Sequence, residues 1–178
     1  MAGWNIKSGF ITEYVVSEDR IWSLFNYVFS DACKKRNTYK FGLIKALLDS
    51  IFSGEIREQG IYYSYEQLFG RFTYNYWNLV VKYDLRQMRK DGKSEFSKIE
   101  IILKETVSKN YILSNLEFES LDLDLRQKII KKVMAECKRF VVGALYNDFE
   151  GIIYNFNLKE DGIVINPCVY EFMQKYKA

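Results

Sequence analysis

The side chains best able to do chemistry in this sequence are cations that recur along one flank of an apolar repeat. Between Tyr65 and Arg89, large apolar residues recur every three or four positions, which predicts one long helix. Cations arrayed along a helix face neutralise phosphates, and arginine can also reach base edges. The flank therefore predicts contact with nucleic acid. At about 100° per residue, its polar and basic members are Arg71, Asn75, Asn78, Lys82, Arg86 and Arg89.

Three stretches of the chain, residues 34–45, 82–93 and 128–139, are rich in lysine and arginine. Each has two interpretations, a surface that contacts phosphates or an ordinary solvated helix face. The net charge of +3 is too small to decide between them, so the clustering has to carry the prediction. We expect nucleic acid, with DNA as the expected form, to be bound by Arg36, Lys40, Arg71, Lys82, Arg86 and Arg89.

Two aromatic residues of the long helix have different expected positions. Tyr74 lies opposite the apolar face, so it is either an exposed platform for a base or an aromatic packed against a neighbouring helix. Trp77 lies between the two faces and is expected in the core.

The residue types needed for catalysis are missing or scattered. The sequence has no histidine, which removes the commonest general base and the commonest metal ligand. The three cysteines are far apart and are expected to be reduced packing residues: Cys33, Cys137 and Cys168. Four acids could form a carboxylate metal site, although capping and solvation explain them better: Glu117, Glu119, Asp122 and Asp124. We therefore expect no catalytic residue, no metal and no cofactor in this chain.

The N-terminal sequence has no charged region followed by an apolar run, as a secretory signal would. No apolar stretch approaches the roughly 18 residues that a membrane-spanning helix requires. The expected location is the cytoplasm.

The elements that must position the cations are mostly helices. Residues 1–16 are expected to be extended or loosely docked, residues 54–63 to form a loop, and residues 111–124 to be irregular. Besides the long helix, which Ser64 would cap, helices are predicted from Ser17 to about Phe29, from Thr38 to Phe52, from Glu95 to Lys109, and after a cap at Asp122 or Asp124.

The pattern changes near the C-terminus. Alternation of apolar and polar residues predicts a β-hairpin at about residues 151–166, and Pro167 suits the first turn of a short last helix. The hairpin could lend an edge strand to another domain. The aromatic last helix either docks on the core or marks the chain as a fragment of a longer protein. The predicted fold is mainly α, a single multi-helix domain over residues 1–178 with a small C-terminal hairpin and a short terminal helix.

Several segments resemble the N-terminal helical region of bacterial HNH-endonuclease proteins. They are RNTYKFGLIKALLDSI at 36–51, FTYNYWNLVVKYDLRQ at 72–87, ALYNDFEGIIYNFN at 144–157 and INPCVYEFMQKYKA at 165–178. The histidines and metal ligands of the nuclease module have no counterpart here, so no catalytic residue is carried over. The resemblance implies a non-catalytic domain that positions nucleic acid for a nuclease module C-terminal to it. The alternative is a protein-interaction or dimerisation domain, such as a homodimer, with no nucleic-acid role.

Overall fold

The computed structural model describes residues 5–88 and 96–177, and over these residues the fold is mainly α. The described part of the chain contains six α-helices and a five-stranded antiparallel sheet. The helices are α1 (Glu18–Phe29), α2 (Tyr39–Asp49), α3 (Tyr65–Trp77), α4 (Lys98–Lys109), α5 (Leu123–Asp148) and α6 (Pro167–Tyr176). The strands are β1 (Ser8–Gly9), β2 (Glu55–Arg57), β3 (Gly60–Ser64), β4 (Tyr154–Asn157) and β5 (Gly162–Ile165). Helices α3, α5 and α6 contact the strands.

Helix α3 is the centre of the core, as its apolar spacing predicts. The Ser64 side chain accepts a hydrogen bond from the backbone N–H of Gln67 and so caps its first turn. Its buried face packs between α2 and α5. The buried residues of the helix are Tyr65, Leu68, Phe69, Phe72, Thr73, Tyr76 and Trp77.

The prediction that this helix continues to Arg89 is wrong. The α-helix ends at Trp77 and a single wider π turn covers Asn78–Lys82. Asp84 then has a positive φ of 49°, which no helix interior accommodates. Arg86 is therefore not on the helical flank that the spacing suggested, and Arg89 lies outside the described residues.

Most other helix boundaries follow local capping signals. Ser17 and Asp122 cap α1 and α5 as predicted. Helix α2 is shorter than predicted, because it ends at Asp49 and a 3₁₀ turn covers Ile51–Ser53. Helix α4 begins at Lys98, where Ser97 and Glu100 form a reciprocal capping box.

The sheet is larger than the predicted hairpin. Residues 54–63 are not a loop, since they contain β2 and most of β3, and the strand order is β1-β4-β5-β3-β2. Both strands of the C-terminal hairpin, β4 and β5, are therefore paired on their outer sides as well, and the hypothesis that the hairpin offers a free edge is wrong. The edges of the sheet are β1 and β2.

The two ends of the described chain are docked on the core. Near the N-terminus β1 pairs with β4, and Ile11 is buried. In α6, Val169, Phe172 and Met173 are buried, which confirms the docked interpretation of the last helix. Within residues 5–88 and 96–177, no helix combines the length and the apolar character needed to cross a membrane.

Candidate nucleic-acid interface

Two of the six predicted residues, Arg36 and Arg86, line the same surface cleft. It lies between the α1–α2 connection and residues 83–88, which follow the π turn. Its volume is about 240 Å³, and we call it the Arg36–Arg86 cleft. Within residues 5–88 and 96–177, the lining contains three cations and no acid. These lining residues are Lys35, Arg36, Asn37, Thr38, Phe41, Arg86, Gln87 and Met88.

The two walls of the cleft are fastened to each other by hydrogen bonds. An isolated β-bridge joins Asn37 to Met88. The backbone N–H of Thr38 donates to the carbonyl oxygen of Gln87 at 3.1 Å, and the Thr38 hydroxyl donates to the Gln87 side chain at 2.8 Å. Gln87 is itself buried. The backbone that carries the cations at the mouth of the cleft is therefore held in place by these hydrogen bonds.

Arg86 is anchored from the side of helix α4. Its Nε lies 3.4 Å from Oε1 of Glu100, and its guanidinium lies 4.3 Å from the centre of the Phe96 ring. Glu100 is fully buried, and its other oxygen accepts a hydrogen bond from the backbone N–H of Ser97 at 2.7 Å. Among the described residues Glu100 Oε1 has no hydrogen-bond partner, so Arg86 is its only compensating contact. About a third of the Arg86 side chain remains exposed.

Lys35 contributes charge beside the cleft. Its ammonium donates to the backbone carbonyl oxygens of Val28, at 3.0 Å, and of Ser30, both at the C-terminal end of α1. Cations are favourable there because they satisfy carbonyls that have no partner within the helix. The same ammonium lies 5.4 Å from the centre of the Phe41 ring. Lys35 belongs to the basic stretch at 34–45, but spacing alone gave no reason to select it.

Lys40 is directed into the protein instead of toward the cleft. Its ammonium lies 2.5 Å from a carboxylate oxygen of Asp148 at the end of α5, and it also donates to the carbonyl oxygen of Lys34 and to the Cys33 sulfur. Burial acts to lower the pKa of Lys40 and is the largest single effect, but the hydrogen bonds and charges of Asp148 and Cys33 together outweigh it, and the net pKa is raised. Burial also raises the pKa of the Cys33 thiol, with a further contribution from Asp148. Phosphate could reach this charge only by breaking the pair.

The remaining predicted residues lie elsewhere or are already paired. The Lys82 ammonium is 2.5 Å from Glu117. Arg71 is exposed and lines a separate groove of about 560 Å³, together with Tyr74 and two acids, Glu66 and Glu119. Arg89 is not among the described residues. The structure thus brings together Arg36 and Arg86, adds Lys35, and separates the other described candidates from them.

The other side chains considered as candidates pack on the core or cap a helix. Tyr74 is half-buried and packs on the core. Trp77 is buried as predicted, with its indole N–H donating to the carbonyl oxygen of Leu116 at 2.9 Å. Asp122 accepts hydrogen bonds from two backbone N–H groups at the start of α5. In the residues that the structure describes, no group of three or more acids and cysteines is arranged to hold a metal ion.

Comparisons of this chain with protein-family models, with curated proteins and with solved structures each give no match.

Proposed function

We propose that this domain binds nucleic acid through contacts between the phosphate backbone and the cations of the Arg36–Arg86 cleft. The observation that supports this proposal is a mouth that, among the residues the structure describes, is lined by three cations and no acid, on walls that hydrogen bonds hold together. The sequence from residue 89 to residue 95, which follows Met88, contains three further cations, Arg89, Lys90 and Lys93, and two acids, Asp91 and Glu95. Together with the resemblance to HNH-endonuclease N-terminal regions, this suggests a domain that positions DNA for a nuclease module in the same polypeptide.

The predicted interface is smaller than the six residues first suggested. Lys40 and Lys82 do not line the cleft, and each has a carboxylate within 2.5 Å of its ammonium. The proposed phosphate contacts are therefore those of Arg36 and Arg86, which line the cleft, with Lys35 adding to the local potential. Such backbone contacts orient the nucleic acid without reading its sequence.

The test is binding of a short fluorescent DNA duplex, followed by anisotropy over a series of salt concentrations. Loss of one phosphate contact should reduce the slope of log affinity against log salt by about 0.9. We expect this change for Arg36→Ala. Arg86→Lys should weaken binding less, and it keeps a cation beside buried Glu100. Lys82→Ala, whose cation is paired with Glu117, is the matched control and should bind as the unaltered protein does.

Two outcomes would refute the proposal. One is absence of duplex binding by the unaltered protein at low salt. The other is equal losses for Arg36→Ala and the Lys82→Ala control. Competition with single-stranded DNA and with duplex RNA, in the same assay, identifies the preferred form of nucleic acid.

A further inference from the structure

Strand β2 forms an edge of the sheet that no other strand covers within the described residues. It pairs with β3 in a register that places Glu55 opposite Tyr62 and Arg57 opposite Gly60. Only Glu58 and Gln59 lie between the strands, and the pair that closes a two-residue hairpin turn normally exchanges backbone hydrogen bonds. In an antiparallel ladder such pairs alternate, so the backbone N–H and C=O of Ile56 point away from β3 toward solvent.

The register between β3 and β5 also indicates that the backbone groups of Ile56 point toward solvent. Ile61 and Tyr63 pair with β5, and the backbone N–H of Tyr65 continues that series by donating to the carbonyl oxygen of Asp161. Odd-numbered residues of β3 therefore direct their backbone groups to β5, and even-numbered residues direct theirs to β2. The partners of those even-numbered residues are Glu55 and Arg57, which leaves Ile56 facing the open edge.

The side chains of β2 are exposed and include a large apolar group. Ile56 is 83% exposed, and Phe52, just before the strand, is 68% exposed. Unpaired strand edges are sites of strand addition, which proteins limit with short edge strands, charged side chains or proline. Residues 54–58 contain no proline, and β2 is short and carries an acid and a base, so pairing at this edge depends on how those two charges are met. The opposite edge, β1, is only two residues long and offers less backbone.

The charges of β2 are complementary to those of a second copy related by a two-fold axis. The strand is Glu55-Ile56-Arg57, an acid and a base on either side of the apolar residue. An antiparallel pairing of two copies centred on Ile56 places Glu55 of each copy opposite Arg57 of the other. These would be pairs without backbone hydrogen bonds between them, in which facing side chains are closest.

We propose that β2 is a homodimerisation edge, at which a second copy of this chain pairs antiparallel about Ile56 and joins two five-stranded sheets into one. The contact is isologous, as two-fold dimers require. A foreign peptide would also satisfy the backbone, but a second copy carries the matching acid and base at both positions by its own sequence. The inference does not depend on the Arg36–Arg86 cleft.

In the monomer Glu55 and Arg57 already contact each other, at 2.9 Å, and the Arg57 guanidinium lies 3.4 Å from the centre of the Tyr62 ring. Exposed ion pairs contribute little to stability. Their role in the dimer is therefore to fix the register, while the backbone hydrogen bonds and Ile56 supply attraction. Charge reversal tests that register directly.

The experiment is sedimentation velocity of the full chain over a range of concentrations. The unaltered protein should dimerise. Glu55→Arg places arginines opposite arginines, and Arg57→Glu places acids opposite acids, so each variant should dimerise roughly tenfold more weakly. Mixing the two variants should restore association as a heterodimer, since opposite charges then face each other at both positions. Neither single variant retains the contact within the strand, so recovery on mixing can come only from pairing between chains.

Arg139→Glu is the matched control. It makes the same change in net charge as Arg57→Glu, on an exposed part of α5, and it should leave the dimer intact. Circular dichroism confirms that each variant is folded. The proposal is overturned if the unaltered protein stays monomeric at the highest soluble concentration, if the single variants dimerise normally, or if their mixture fails to associate.

Discussion

Replacement of Lys40 by methionine should destabilise the fold without weakening nucleic-acid binding. Methionine keeps an unbranched apolar chain and removes only the charge. The Lys40 and Asp148 side chains are 15% and 11% exposed, and their charged atoms are 2.5 Å apart. Removing one member of a buried ion pair costs about 3–5 kcal/mol, because the other charge is left uncompensated. Since both side chains keep some contact with water, we expect about 2–4 kcal/mol.

The loss is measured by urea unfolding, followed by circular dichroism. For a chain of 178 residues, a loss of about 3 kcal/mol corresponds to a fall in melting temperature of roughly 6–12 °C. Asp148→Asn combined with Lys40→Met removes both charges and should recover much of the loss. Lys82→Met is the control, because its pair with Glu117 is exposed and its removal should change the free energy of unfolding far less.

The pH dependence gives the same pair a second signature. The pKa of Lys40 is raised in the folded protein above its ordinary value of 10.5, so the folded state holds the proton more tightly than the unfolded state. The stabilisation is therefore fully present below pH 10.5 and is lost as the pH rises through the folded pKa. The reasoning would be refuted if Lys40→Met unfolded like the unaltered protein yet bound DNA more weakly. That result would mean that Lys40 contacts phosphate, as the sequence alone suggested.

Three further predictions concern the sheet and the end of helix α2. Gly60→Ala should lower the free energy of unfolding in urea by more than about 2 kcal/mol, since φ is 141° and an added Cβ would lie 2.1 Å from the backbone oxygen of Ile165. Tyr63→Phe removes a buried hydroxyl that donates to the carbonyl oxygen of Ile51 at 2.7 Å, so calorimetry should show a loss of about 1 kcal/mol. Burial acts to raise the pKa of Asp49, but hydrogen bonds from a lysine and an asparagine leave it below 3.8. The unaltered protein should therefore be more stable than Asp49→Asn by a constant amount above pH 3.8. In acid titrations this difference should shrink as the pH falls through the pKa of Asp49 in the folded protein.

Local signals in the sequence were sufficient for most helices and for the C-terminal hairpin. A serine or aspartate followed by an apolar repeat identifies a helix start, because the cap satisfies backbone N–H groups within the same turn. Ser17, Ser64 and Asp122 act in this way. Alternation in β4 reflects a strand with one buried face, which is also a local property.

The elements that the sequence did not predict depend on distant partners. All three residues of β2 are exposed, so the strand has no apolar alternation, and β3 is held by β5 from the far end of the chain. The early end of α3 has a similar origin. The apolar spacing continues past Trp77, whose ring packs 5.4 Å from that of Phe118, and no residue near the π turn is a glycine or proline.

At the candidate site, the sequence identified the basic residues but not the direction in which their side chains point. Arg36 and Lys40 are four residues apart, and both belong to the same basic stretch. One lines the cleft, while the other turns inward because Asp148, at the far end of α5, supplies a carboxylate beneath α2. Such a pairing joins residues distant in sequence, and no local pattern identifies it.

The anchoring of Arg86 restricts how the cleft can work. Glu100 is fully buried, and a ligand that drew the Arg86 guanidinium outward would leave that carboxylate without compensation. Because an unpaired buried charge costs several kcal/mol, a single phosphate contact cannot supply the energy for such a movement. A phosphate must therefore meet Arg86 where it already lies, against Phe96 and α4. Binding at the cleft should then need little rearrangement of residues 83–88. The conformational entropy of the Arg86 side chain is already lost on folding, so binding does not have to order it again.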